Sequence, residues 1–308
     1  MHPKYWNTLE YPKILARLAE YTSFSAGRDL VGQLTPSTDP GEVQQRQRET
    51  TEARRLLDIR PDTTLGGARD VRPLAHNASL DVCLDPKDLL SVRNTLVSAR
   101  RLKGVLLRLR DSFPLLAETA DLLEPCPHII EEINRCISEQ GEVMDSASPA
   151  LARIRREMNT VRDRLLDRLN KMITSPEITP YLQDSLVTLR GGRYVIPLRS
   201  EFKGRIQGII HDQSSSGATL FIEPLATVEM NNRWRELQLE EEREVERILR
   251  ELSGLVSDEG QIISRTVEGL AQLDLAFAKA RYSNAIRGVE PRLIPLGDLR
   301  TEPEGEAP

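Results

Sequence analysis

Apolar residues recur at alternating steps of three and four along one stretch of the chain: Leu151, Ile154, Met158, Val161, Leu165, Leu169 and Met172. That spacing predicts a helix from Ser148 to Ile173, about 40 Å long at 1.5 Å per residue. Its apolar stripe is narrow, as at a coiled-coil seam. A second run, "LATVEMNNRWRELQLEEEREVERILRELSGLV", carries Trp234, Leu237, Val245, Ile248, Leu252 and Leu255. It predicts a return helix about 50 Å long, opened by Pro224.

Between the two helices the pattern changes. From Asp184 to Glu223 the chain is rich in β-branched residues and punctuated by glycine. "LVTLRGGRYVIPL" predicts a hairpin turning on Gly191 and Gly192, because glycine takes positive φ freely at both turn positions. "GRIQGIIH" and "GATLFIE" predict two further strands. Pro197 cannot donate to a ladder, so its strand is expected at an edge or to end there.

The first 145 or so residues read as helices with short breaks. Asp39 before Pro40 and Asp85 before Pro86 are N-cap signals. "LGGARDVRPLAHNAS" between them predicts a glycine-rich turn and a short helix. Ile263, Val267, Leu270, Leu273 and Phe277 mark a closing helix. The expected fold is mainly α with a small β insert: a helical core and two long antiparallel helices carrying a small antiparallel β module at their tip. The expected divisions are 1–147 (helical core), 148–180 (outgoing helix), 181–224 (β module), 225–257 (return helix), 258–290 (closing helix) and 291–308 (disordered, acidic and proline-containing tail).

Composition narrows the function classes. Among 308 residues, 4% are aromatic and 29% charged, which suits long solvated helices better than a compact sheet-centred enzyme. The net charge of −5 excludes a strongly basic nucleic-acid binder, so any such role requires a local patch. Cys83, Cys126 and Cys136 share no metal-ligand spacing, and free thiols in a reducing cytosol are expected. The N-terminus has no signal-like apolar region and no run of about 18 apolar residues occurs, so a soluble cytoplasmic protein with no membrane partner is expected.

Two charge patterns compete. Arg153, Arg155, Arg156, Arg162, Arg164, Arg168 and Lys171 on the outgoing helix are answered by Glu236, Glu240, Glu241, Glu242, Glu244, Glu246 and Glu251 on the return helix. Across an antiparallel seam the two sets are expected to pair. The β module has Arg190, Arg193, Arg199, Lys203 and Arg205 against fewer acids. Arg190 and Arg193 would face each other across the hairpin, an arrangement that favours an anion between them and points to a phosphate backbone.

The run "HDQSSSGATLFIEP" has residues of a hydrolase but lacks the spacing. Ser215 is preceded at two positions by Gln213 where a nucleophile elbow needs glycine, and His211 and Asp212 point to opposite faces of a strand. No phosphate-cradling glycine-lysine loop occurs in the chain. A structural joint fits better, with Asp212, Ser214 and Gly217 shaping a turn and Pro224 handing over to the return helix. No catalytic residue and no metal ligand is assigned.

The long stretch "RGGRYVIPLRSEFKGRIQGIIHDQSSSGATLFIEPLATVEMNNRWRELQLEEEREVERIL" resembles the core, lever and clamp region of the second bacterial MutS paralogue family. "GEVMDSASPALARIRREM", "GRDLVGQLTPSTD" and "LGGARDVRPL" carry the same resemblance. It implies a dimeric protein with an ATPase domain after the levers and a Smr endonuclease at its end. ATP and magnesium are then expected only in that ATPase domain, whose nucleotide-binding loop this chain lacks. The resemblance further implies binding of branched or duplex DNA, suppression of homologous recombination and, in some bacteria, action on collided ribosomes. The leading expectation is a non-catalytic core, lever and clamp region that grips nucleic acid. The rival expectation is a dimerisation scaffold with no nucleic-acid contact of its own.

Overall fold

The computed structural model describes residues 6–294, which form ten α-helices and one four-stranded antiparallel sheet. This is the mainly α fold with a small β insert that the periodicity predicts. From 295 onward, the tail expected to be disordered lies outside the described residues. The chain divides into two compact units, Met1–Asn134 with Glu251–Pro308, and Arg135–Arg250.

The first unit contains α1 (Tyr11–Ala19), α2 (Ser25–Gln33), α3 (Pro40–Ile59), α4 (Arg72–Ser79), α5 (Pro86–Arg108), α6 (Pro114–Asp121), most of α7 (Pro127–Cys136) and a later long helix at Gly260–Ala285. The two local caps form as expected. Asp39 accepts from the Gly41 N–H at 2.9 Å and Asp85 from the Asp88 N–H at 2.8 Å. In the long helix Ile263, Val267, Leu270, Leu273 and Phe277 are all fully buried. Each such side chain contributes about 1.5–3 kcal/mol, so this stripe is a main gain of the unit.

Among the helices of this unit that begin without a side-chain cap from their N-cap residue are α2 after Phe24 and α6 after Phe113. Distant carboxylates supply what is missing. Asp274, fully buried on the long helix, accepts from the Ser23 N–H at 2.9 Å and the Phe24 N–H at 3.4 Å. Glu52 on α3 accepts from the N–H groups of Leu115 and Leu116 at 3.0 and 3.1 Å. Burial pushes both carboxyls up from their ordinary values, and the backbone donors oppose that rise. Gly27 lies so close to the Asp274 carboxylate that a methyl group there would overlap it.

The second unit holds α8 (Pro149–Ile173), the first part of α9 (Val228–Asp258) and the sheet; the long helix Gly260–Ala285 of the first unit is α10. The strands are β1 (Thr188–Arg190), β2 (Arg193–Arg199), β3 (Gly208–Gln213) and β4 (Thr219–Pro224), in the order β1-β2-β4-β3. Leu165, Leu169 and Ile173 of α8 share a core with Ile196 and Leu198 of β2 and Leu220 and Ile222 of β4. Asn231 near the start of α9 is fully buried and copies a neighbouring strand. Its Oδ1 accepts from the Tyr194 N–H and its Nδ2 donates to the Tyr194 carbonyl, both at 3.0 Å.

Three local expectations are corrected. Pro197 lies in an inner strand, paired with Phe221. Ser200 N–H donates to Ala218 O at 2.9 Å, so the alternating register turns the Pro197 backbone away from β4. There its carbonyl accepts from the Gln183 N–H at 2.9 Å, and only the isolated Leu182–Leu198 bridge continues the pairing. Asp212 belongs to β3 rather than to the turn, opposite Phe221 and next to a bulge between Ile210 and Asp212. Pro224 ends β4 opposite Gly208, and α9 starts only after the 3₁₀ turn Leu225–Thr227.

Ser148, where the spacing starts the helix, is the N-cap of α8, accepting from the Leu151 N–H at 3.0 Å, and its hydroxyl donates to Glu244 on α9 at 2.6 Å. Arg155–Glu241 at 2.6 Å and Glu157–Arg233 at 2.7 Å continue the antiparallel series. The expected general pairing of charges across the seam is corrected, however. Among the described residues, Arg155 is the one α8 cation of the seven that meets an α9 carboxylate. The apolar stripe is narrow, so only positions flanking it reach the other helix.

Two outcomes follow from these contacts. Gly27→Ala should destabilise the chain by about 1–3 kcal/mol in urea unfolding, and by clearly less in an Asp274→Ala background, because the clash is then gone. The hydrogen bonds from Arg247 and Ser148 hold the Glu244 carboxyl at about 2, below its ordinary 4.5. A depressed carboxyl contributes stability that is complete above pH 4.5 and is lost as the pH falls toward 2. Glu244→Gln should therefore make the decline of the urea midpoint across that window shallower than in the parent chain.

Candidate nucleic-acid interface

The candidate site grows out of the hairpin. Gly191 and Gly192 have φ of +56° and +74°, the two-residue turn expected, and they set Arg190 directly opposite Arg193. The two guanidinium groups then part. The Arg190 guanidinium carbon lies 4.3 Å from the centre of the Phe221 ring, and Nε is 3.4 Å from the Asp212 carboxylate. Arg193 donates to both oxygens of Glu223, at 2.9 and 3.2 Å, and to Asn232 Oδ1 at 2.7 Å. The anion that sequence reasoning placed between these arginines is supplied by the chain itself, as two separate carboxylates.

Glu223 has no solvent exposure, and its second partner is His211, whose Nε2 lies 2.5 Å from Oε2. The bulge at His211 re-aims the ring toward β4, and an ionised carboxylate only accepts, so Nε2 carries the proton. Arg193, Glu223 and His211 thereby tie β2, β4 and β3 together. Sequence reasoning missed this group by testing His211 only against its neighbour Asp212. Folding the two runs back across "SSSG" in the register of the turn would set Ile210 opposite Glu223; only the bulge brings Ile209 there with His211 alongside, so the sequence pattern alone does not give the group.

Arg199, Lys203 and Arg205 differ in kind. They lie at the end of β2 and in the turn that follows, and all three are exposed. Among the described residues none has a carboxylate partner. The unit's basic residues therefore fall into two sets: Arg193 is committed internally and Arg190 partly so, while these three are open to an external anion.

The turn after β3 is structural. Ser214 Oγ accepts from the Thr219 N–H at 3.0 Å, the Gly217 N–H donates to Ser214 O at 2.8 Å, and Gly217 has φ +75°. Among the described residues no serine hydroxyl hydrogen-bonds to His211, so that ring is not arranged as the base of a Ser215 nucleophile. Nor does any group of three or more His, Cys, Asp or Glu stand as a metal cage among them. The Cys126 thiol is pushed up to about 11, chiefly by burial, and is a packing residue rather than a nucleophile. No described helix is long and apolar enough to cross a membrane.

No family model matches the chain. Curated relatives do. Over 287 residues it is 46% identical to the Endonuclease MutS2 of Symbiobacterium thermophilum, covering 93% of this chain and 36% of that protein. It is 40% identical over 303 residues to the Endonuclease MutS2 of a Geobacillus species, covering 97% and 39%. The counterpart from Halothermothrix orenii is 39% identical over 297 residues, covering 94% and 38%. The chain thus spans a little over a third of the length of the curated relatives it matches.

The buried triad gives a thermodynamic expectation. Glu223→Ala leaves Arg193 and His211 without their shared acceptor, and Arg193→Met leaves a buried carboxylate half-answered. Either should lower stability by about 3–5 kcal/mol in chemical denaturation. The pair Arg193→Met with Glu223→Met should cost clearly less than the sum of the single changes.

Proposed function

This chain corresponds to a stretch of the MutS2 family, and from that premise we propose that it is a gripping rather than a cutting part: its sheet unit holds the phosphate backbone of branched or duplex DNA. Arg199, Lys203 and Arg205 make the contacts, with Arg190 contributing from the hairpin. The observation that carries this reading is the division of the basic residues. A sheet that already satisfies Arg193 internally still presents three exposed cations, on a chain whose overall charge is −5. The name endonuclease borne by the relatives supports a nucleic-acid partner.

In this reading α8 and α9 are the levers and the sheet is the clamp. ATP hydrolysis, with its magnesium, and the nuclease step belong to the larger part of the relatives that lies outside the matched stretch. The whole protein would act as a cytoplasmic homodimer that suppresses homologous recombination, and ribosomal RNA presents the same phosphate chemistry. Catalysis is assigned to no residue of this chain.

Fluorescence anisotropy with labelled four-way junction, linear duplex and purified ribosomes tests the proposal on the 308-residue chain. Binding should be modest and salt-sensitive. Substituting glutamine at Arg199, Lys203 and Arg205 together should reduce the slope of log K against log salt by about 3, at roughly 0.9 per phosphate contact. An unchanged slope on every target removes the sheet from the contact surface. A stable dimer that ignores all three targets at low salt identifies the chain as a scaffold instead.

A further inference from the structure

The outward face of α8 carries a charge surplus that the fold does not consume. Its inward face is set by the buried residues Leu151, Ile154, Leu165, Leu169 and Ile173. At 100° per residue, Arg153, Arg156, Arg164 and Lys171 gather on the opposite side and Arg168 at its margin, and all five are exposed. Among the described residues none of the five has a carboxylate partner; the Arg156 Nε donates to the Ala152 carbonyl at 3.1 Å. Two of the three acids on that side are already taken, Glu157 by Arg233 at 2.7 Å and Asp163 by Arg162 at 3.2 Å. Only Asp167 is left to oppose five positive charges.

The outer face of α9 contrasts with this. There Arg250 is neutralised by Glu246 and Arg247 by Glu244, which reaches out from the seam, and Glu236 and Glu242 are exposed beside Arg235 and Arg243. The helix pair therefore has one basic side and one side of balanced charge. Arg164, Arg168 and Lys171 occupy the half of α8 that packs under the sheet, so the surplus continues from the sheet's own unit.

We infer that the nucleic-acid contact extends from the sheet along the outward face of α8 as far as Arg153, so that the unit holds a duplex lengthwise by its phosphate backbone. This rests on the gripping role proposed above and adds a second contact surface to it. From Arg153 to Lys171 the helix rises about 27 Å, the length of about eight base pairs at 3.4 Å each. The recognised chemistry is a run of phosphodiesters with no base readout, so the inference predicts tolerance of sequence.

The experiment compares the full 308-residue chain with a variant carrying glutamine at Arg153, Arg156, Arg164, Arg168 and Lys171. Arginine, lysine and glutamine have similar helix propensities, and circular dichroism with urea unfolding checks that the fold is kept. Salt titrations between 50 and 200 mM use a 20-base-pair DNA duplex in one arm and a 20-base-pair RNA duplex in the other. The five-fold variant should lower the salt slope by about 4.5 on at least one duplex, whereas Arg243→Gln with Arg250→Gln on α9 leaves it unchanged. If the parent chain binds, the sheet variant weakens that binding and the α8 variant does not, this inference fails alone. If the α9 variant lowers the slope as much as the α8 variant, the contact is nonspecific and the inference fails. If the parent chain binds neither duplex, both readings fall.

Discussion

The structure of the β-bearing unit depends on one buried carboxylate. Glu223 is wholly removed from solvent, and an unanswered charge there would cost several kcal/mol. Two donors answer it, the Arg193 guanidinium from β2 and the His211 ring from β3. Because Glu223 stands on β4 between those strands, meeting its needs fixes the relation of all three. Arg193 extends the linkage to Asn232 on α9, and Asn231 beside it binds both backbone groups of Tyr194. The helix that leaves the sheet is thus joined to it by polar contacts as well as by apolar packing.

The same constraint sorts the basic residues by function. A cation with an internal acceptor holds the fold, and moving it to an external phosphate would forfeit that acceptor. A cation with none is available. Arg193, Arg155 and Arg233 are of the first kind. Arg199, Lys203 and Arg205, with the five outward residues of α8, are of the second. Counting positive charges along the sequence cannot make this distinction, because it depends on which carboxylates the fold brings near.

The degree of legibility follows from the range of each interaction. Caps two or three residues from their donors were plain in the sequence, at Asp39 and Asp85. So was the Gly191-Gly192 turn, where positive φ is required twice in succession. The apolar stripes of α8 and α10 were equally plain, since periodicity is local. Asp274 capping α2 across about 250 residues of chain left no such mark, and neither did Glu52 capping α6. Pro197 misled because ladder donors alternate, and its missing N–H falls on the side that β4 does not use. The Arg193–Glu223–His211 group needed the strand register first, and a bulge at His211 obscured it. The partition of the α8 charges needed the true width of the helix seam.

The central claim is that internal acceptors hold one set of cations while a second set faces an external phosphate backbone. Side-chain nitrogen NMR of arginine in the full chain, titrated with duplex DNA, observes both sets together. The account predicts that the Nε signals of Arg199 and Arg205 shift or broaden as duplex is added, while those of Arg193 and Arg155 stay in place. Movement at Arg193 with Arg199 and Arg205 unaffected would contradict it.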